Sequence, residues 1–182
     1  MTFEKTVTLK DGRNCLLRNG VTSDGTAVLD VFNRTHEETD YLLTYSDENR
    51  FTASQEADFL QRKTDSANNV EIIAVVDDVV AGTAGIDALG MRDKIKHRAV
   101  FGIAITKEFW GLGIGKYLME ACIECAREAG YLQLELEVVA ENERAVEMYR
   151  RAGFIEYGRN PKAFRLRTGE YQELIDMRLE LK

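Results

Sequence analysis

Ala99 to Ala129 reads AVFGIAITKEFWGLGIGKYLMEACIECAREA, and its hydrophobic period changes partway along. Val100 to Ile105 is a short apolar run rich in β-branched and aromatic residues, the composition of a buried strand. From Ile114 onward, Ile114, Tyr117, Leu118, Ala121, Cys122 and Cys125 recur every three or four residues, which lines one face of a helix ending near Gly130. Between the two stands Gly111-Leu112-Gly113-Ile114-Gly115-Lys116. Alternate glycines let the backbone turn with no Cβ in the way, so successive N–H groups can point into one concavity at the helix N-terminus. Unpaired N–H groups and the positive end of the helix dipole act together on a phosphate, and Lys116 adds a formal charge.

Two common phosphate loops do not fit. A P-loop needs Gly, four residues, then Gly-Lys-Ser/Thr, but Trp110 stands where its first glycine belongs and Tyr117 replaces the hydroxyl residue that holds magnesium. The dinucleotide fingerprint G-x-G-x-x-G fails because Lys116 occupies the third glycine position. The remaining pattern, G-x-G-x-G between strand and helix, resembles motif A of the GCN5-related N-acetyltransferases, Arg/Gln-x-x-Gly-x-Gly/Ala, with Trp110 in the Arg/Gln position.

Downstream, Leu134 to Val139 reads as a strand, and Asn142 is a natural N-cap for a helix whose Ala145, Met148, Tyr149 and Ala152 share a face before Gly153. Asn142-x-x-Ala145-x-x-x-Tyr149-x-x-x-Gly153-Phe154 matches motif B of the same family in order and spacing. The resemblance extends from about Val70 to Met177.

The rest of the chain is read element by element. Thr6–Leu9 and Cys15–Arg18 flank the turn signal Asp11-Gly12, giving a hairpin or a bent strand. Ser23 or Asp24 can cap a helix with Val28, Leu29 and Phe32 on one face, after which residues 35–51 read as a loop with at most a helical turn. Thr52-x-x-Gln55 is a capping box opening a second helix through Phe59 and Leu60. Val70–Val76 and Val79–Ile86 around Asp77-Asp78 form a tight hairpin, and Ala88–Lys96 is a polar connection. Phe154–Gly158 is a strand, Asn160-Pro161 marks a break, and Glu173–Leu181 is a final strand. The order β, α, α, β, β, β, α, β, α, β, β is that of the acetyltransferases. The expected fold class is therefore α/β (α+β mixed), with a mixed, mostly antiparallel sheet of six or seven strands and helices on both faces.

At 182 residues with one proline and no linker or repeat, the chain is expected to form a single domain over residues 1–182. No basic and apolar leader or long apolar span is visible, so a soluble cytoplasmic protein is expected. A formal charge of -7, from 31 acidic and 24 basic residues, argues against nucleic-acid or anionic-membrane partners and permits a cationic acceptor. A homodimer is left open. Cys122-x-x-Cys125 lies mid-helix on the apolar face with no second pair and only His36 and His97 in the chain, so buried packing is expected and no metal.

What the resemblance implies is acetyl transfer from acetyl-CoA to a primary amine of a small molecule or peptide by direct attack. The amides of Gly111, Leu112, Gly113, Ile114, Gly115 and Lys116 would hold the pyrophosphate, the backbone of Ile103, Ala104 and Ile105 would pair with the pantetheine arm, and Asn142 would help hold that arm. Tyr149 would donate a proton to the coenzyme sulfur. The base stays open between Glu137, His97 and a water chain; strand alternation sets Glu135 and Glu137 opposite Leu134, Leu136 and Val138. Glu37, Glu38, Asp40, Asp47 and Glu48 lie where the family shapes its acceptor site, and form either a site for a cationic acceptor or a solvated acidic loop. The alternative function class is a non-catalytic acyl-CoA sensor or interaction module, which loss of the tyrosine would favour.

Overall fold

The structure, a computed structural model, describes all residues from Met1 to Lys182. It begins with the hairpin β1 (Glu4–Thr8) and β2 (Asn14–Asn19) and continues through α1 (Gly25–Glu38) and α2 (Ala53–Asp65). Next come β3 (Val70–Val76), β4 (Val79–Ala88), β5 (Arg98–Ile105), α3 (Ile114–Glu128) and β6 (Gln133–Val139). The chain ends with α4 (Glu143–Arg151), β7 (Ile155–Arg165) and β8 (Tyr171–Glu180). All eight strands join one sheet in the order β1-β2-β3-β4-β5-β6-β8-β7. The count exceeds six or seven because the first element is two paired strands and not one bent one.

Alternation along β3 separates two apolar layers. Val70, Ile72, Ala74 and Val76 face a large core that takes in the buried stripe of α3, while Ile73 faces a smaller one with Val28, Val31 and Leu60 of α1 and α2. Helices therefore cover both faces. The β3–β4 turn places Asp77 and Asp78 at φ 49° and 63°, the left-handed pair that a two-residue hairpin requires. Thr52 and Gln55 form both halves of the capping box that starts α2. Cys122 and Cys125 are free and fully buried on the α3 stripe, where loss of solvation pushes the Cys125 thiol up to about 12.

Two segments differ from their sequence reading. Helix α1 continues to Glu38, into the stretch read as a loop, and its buried stripe is Val28, Val31 and Thr35, with Leu29 and Phe32 half-exposed. The Thr35 hydroxyl donates to the Val31 carbonyl at 2.8 Å and the His36 ring stacks on Phe32 at 3.8 Å, so polar residues close the last turns. Asn160-Pro161 does not end a strand. Strand β7 runs through it, shifting register against β8 between Asn160 and Phe164, and a proline is tolerated there because β7 is an edge strand.

Candidate active site

The parallel pair β5–β6 holds only over Arg98–Gln133, Ala99–Leu134 and Val100–Glu135. Beyond Val100, β5 stays paired to β4 as far as Ile105, but its other edge has no strand beside it. Alternate residues from Phe101 to Ile105 thus present backbone donors and acceptors to open space in the middle of the sheet. A cavity of about 910 Å³ fills this opening, lined by Ile103, Ala104 and Ile105 from β5 and by side chains from both faces of the sheet.

The glycine loop closes one end of the cavity. Gly111 and Gly113 have φ values of 87° and 97°, conformations that a side chain strains, and Gly113 is the N-cap of α3. None of the five amides from Gly111 to Gly115 donates a hydrogen bond within the protein. The Lys116 amide is different: it donates to the Gly113 carbonyl at 3.1 Å, and its ammonium lies 3.6 Å from Glu120. Gly115 is tightly placed for another reason, since a Cβ there would stand 3.1 Å from Met148 Sδ on α4 and Met148 would have to shift. Leu112 does not line the cavity; it packs against the core, and its carbonyl accepts the Lys10 amide at 3.2 Å, tying the β1–β2 turn to the loop.

Trp110, in the position of the motif's Arg or Gln, donates its indole N–H to the Ile105 carbonyl at 2.7 Å and so fastens the loop to the end of β5. The guanidinium of Arg144 lies 5.8 Å from its ring centroid. Lys10 and Arg144 also line the cavity near the loop, and sequence reading missed both. Arg144 had a signal: a cation in the first turn of a helix opposes the dipole unless an anion comes near.

Asn142 caps α4, accepting the Ala145 amide at 3.3 Å, and lines the cavity. Tyr149 lines it too while its ring is packed edge-on to Phe101, 6.1 Å between centroids. Burial alone pushes its phenol well above the usual tyrosine range, with no hydrogen bond lowering it, so the hydroxyl stays protonated. Glu137 is exposed, lines the cavity from the opposite side of the sheet, and forms no ion pair. Glu135 is instead bound by the Arg98 guanidinium, with Arg98 Nη2 2.7 Å from Oε2, which holds its carboxyl below the usual range. His97 precedes β5 at the end away from Ile105, about 26 Å along the strand, and takes no part in the lining.

Three of the five acids of residues 37–48 are engaged elsewhere. Glu38 accepts the Lys107 amide at 2.6 Å, Asp47 takes Arg167 at 2.9 and 2.6 Å, and Glu48 accepts the Tyr45 amide at 2.8 Å. None of the five lines the main cavity.

A strand that parts from its neighbour, free amides at a helix start and a buried phenol across the gap can be compared with known proteins. Residues 30–154 match the model of the acetyltransferase (GNAT) family. The L-amino acid N-acetyltransferase AaaT of Escherichia coli is 31% identical over 118 residues, 64% of this chain and 72% of that protein. A GNAT-family acetyltransferase from Streptococcus pneumoniae superposes with a TM-score of 0.87 at 27% identity, covering 91% of this chain and 99% of that one. A GNAT superfamily phosphinothricin acetyltransferase from Sinorhizobium meliloti, in complex with AcCoA, shares the fold with a TM-score of 0.81 at 18% identity, covering 96% and 89%. With motif A on the β5–α3 loop and motif B on α4, both at the wall of one cavity, the chain belongs to the acetyltransferase (GNAT) family and is an N-acetyltransferase.

Proposed function

We propose that this protein transfers the acetyl group of acetyl-CoA to a primary amine by direct attack. The observation that carries this reading is that one cavity contains the open edge of β5, the five unpartnered amides of Gly111–Gly115 and the Tyr149 hydroxyl. These groups fit the cofactor's parts. The amides and the start of α3 suit a pyrophosphate, the free β5 edge at Ile103–Ile105 suits a chain of amides added like a strand, and the free amide nitrogen of Asn142 offers one more donor.

Attack needs a neutral amine, and an alkylamine with a pKa of about 10 is mostly charged at neutral pH. Glu137 is the acid on the acceptor side of the sheet and takes that proton, directly or through a water. A β5 backbone N–H stabilises the oxyanion as the carbonyl carbon becomes tetrahedral. Tyr149, kept neutral by burial, donates to the sulfur as the C–S bond breaks. Full transfer from so weak an acid to a thiolate with a pKa of about 8.5 is uphill, so the gain belongs at the lower end for acid catalysis.

The test follows free thiol release from acetyl-CoA with a panel of primary amines. Glu137→Gln should lose rate chiefly at low pH, where the amine is charged, and recover as pH rises. Wild-type rates at every pH would remove Glu137 from the reaction and leave the proton to water.

A further inference from the structure

We propose that Lys63, Glu71 and Asp87 form a pH-sensitive latch that fastens α2 to the sheet and slackens as the solution passes from weakly acidic to weakly alkaline. Lys63 stands in the last turn of α2 and is buried there. Its Nζ lies 2.5 Å from Asp87 Oδ2 at the end of β4, 3.4 Å from the Ile86 carbonyl, to which it donates, and 3.9 Å from Glu71 Oε2 on β3. One lysine is thus shared between two carboxylates of unlike exposure, the Asp87 side chain being 60% exposed and that of Glu71 only 14%.

The charges that face Glu71 do not balance. From α2 come Lys63 and a further acid, Glu56, which is itself buried and whose pKa burial raises. From β4 come Asp87 and the Thr83 hydroxyl, and from β2 comes Arg18, which lies across from Ile73 and is already bonded to Asp24 at 2.7 Å. Behind the sheet, α3 presents Cys122, a thiol whose pKa burial also raises. One available ammonium therefore faces three acids. Asp87, the nearest and most exposed, takes the charge of Lys63, so ionising Glu71 as well puts an uncompensated negative charge where water does not reach. The strands leave it little room to turn: a Cβ on Gly85, which pairs with Glu71 on β4, would stand 2.1 Å from Glu71 Oε2.

Burial, only partly offset by Lys63, raises the Glu71 carboxyl to about 7 from an ordinary value of 4.5. Between those two values the folded chain holds a proton that the unfolded chain has released. The stability this proton gives is complete below pH 4.5 and is lost as pH rises through about 7. What gives way is the hold on α2. That helix follows the loop whose Tyr41, Leu42 and Leu43 line the cavity, so slackening it reaches the cavity wall.

The test sets wild type against Glu71→Gln, a neutral side chain of the same shape. The two melting temperatures should agree near about pH 5, and the variant should lead by about five degrees or more near about pH 8.5. At the alkaline end, amide exchange in α2 should be slower in the variant than in wild type, with α3 alike in both. The Glu71 carboxyl carbon, followed by NMR, should titrate near neutrality in wild type, at higher pH in Lys63→Met, and at lower pH in Asp87→Asn, where Lys63 is left to Glu71 alone. Melting temperatures that stay parallel across the range, or exchange slowed equally in α2 and α3, would overturn the latch. So would a Glu71 carboxyl that titrates below about pH 5 in wild type, a reading that decides the matter even where Glu71→Gln does not fold.

Discussion

Along the loop half of the cavity, from Ile103 to Gly115, the groups turned to the ligand are backbone: an open strand edge and five amides without partners. Across the sheet, under a roof formed by the α1–α2 loop and the β7–β8 hairpin, they are side chains, contributed by residues as far apart in sequence as Thr35, Leu43, Phe164 and Leu174. Backbone geometry is set locally, by where glycines stand and where a helix begins, whereas a wall of side chains exists only once distant segments are packed together. A half built from backbone suits a ligand that never changes, and a half built from side chains can be altered without disturbing the first.

The largest effect should come from filling the loop. Gly113→Glu puts a side chain where φ is 97° and a negative charge among the amides. Acetyl-CoA should then no longer raise the melting temperature, and affinity should fall by about a hundredfold or more, with two or more charge-assisted hydrogen bonds lost. Gly113→Ala, with strain but no charge, should fall between. An unchanged ligand-induced shift in Gly113→Glu would show that the loop is not what recognises the coenzyme.

Tyr149→Phe comes next and tests the border between the two halves. Its ring should still pack against Phe101, so folding and acetyl-CoA binding should persist, while kcat drops about a hundredfold. Near wild-type turnover would reduce the tyrosine to core packing.

This border also marks how far the chain could be read without its structure. The glycine spacing, the Asn142 cap, the Tyr149 position and the Asp77-Asp78 turn are local, and each was legible. That Ile103, Ala104 and Ile105 offer a free backbone edge was expected only through the family resemblance, because the parting of β5 from β6 depends on how β8 pairs with β6 and β4 with β5. In sequence, the acid-rich segment of residues 37–48 stays open between a cation site and a solvated loop. Two of its five acids, Glu38 and Asp47, are met by Lys107 and Arg167 from 69 and 120 residues away. The α1 helix likewise outran its apolar stripe because Thr35 and His36 bond back to the helix, a contact that hydrophobic periodicity does not register.

Arg144 tests whether the loop half is backbone alone. Its guanidinium, held against the only tryptophan of the chain, supplies a cation where the motif's Arg or Gln is missing. Arg144→Ala should raise the KM for acetyl-CoA about tenfold and flatten its salt dependence, with kcat little changed, and Arg144→Lys should restore part of the loss. Trp110 emission gives an independent reading of coenzyme affinity in each variant. Equal affinities for wild type and Arg144→Ala at low salt would leave recognition to the amides.

The smallest effect should come from opening the Arg167–Asp47 clasp of the roof, and it separates the halves most cleanly. Arg167 and Asp47 are both mostly solvent-exposed, so their ion pair is screened and contributes little to the stability of the whole chain. What it does is fix the relative position of two loops that carry Tyr41, Leu42 and Leu43 on one side and Phe164 on the other. Arg167→Ala removes the ion pair and the guanidinium over Tyr45 together, while leaving the residue's backbone N–H to the Tyr45 hydroxyl in place. The melting temperature should change by no more than about two degrees, as expected for an exposed pair in a chain of this size. The KM for the acceptor should rise severalfold, because the roof must now be ordered when the amine binds. The KM for acetyl-CoA should not move, since nothing in the loop from Trp110 to Lys116 touches the clasp. A matching rise in both constants would mean that the roof and the loop form one recognition surface, and the division between a backbone half and a side-chain half would fail.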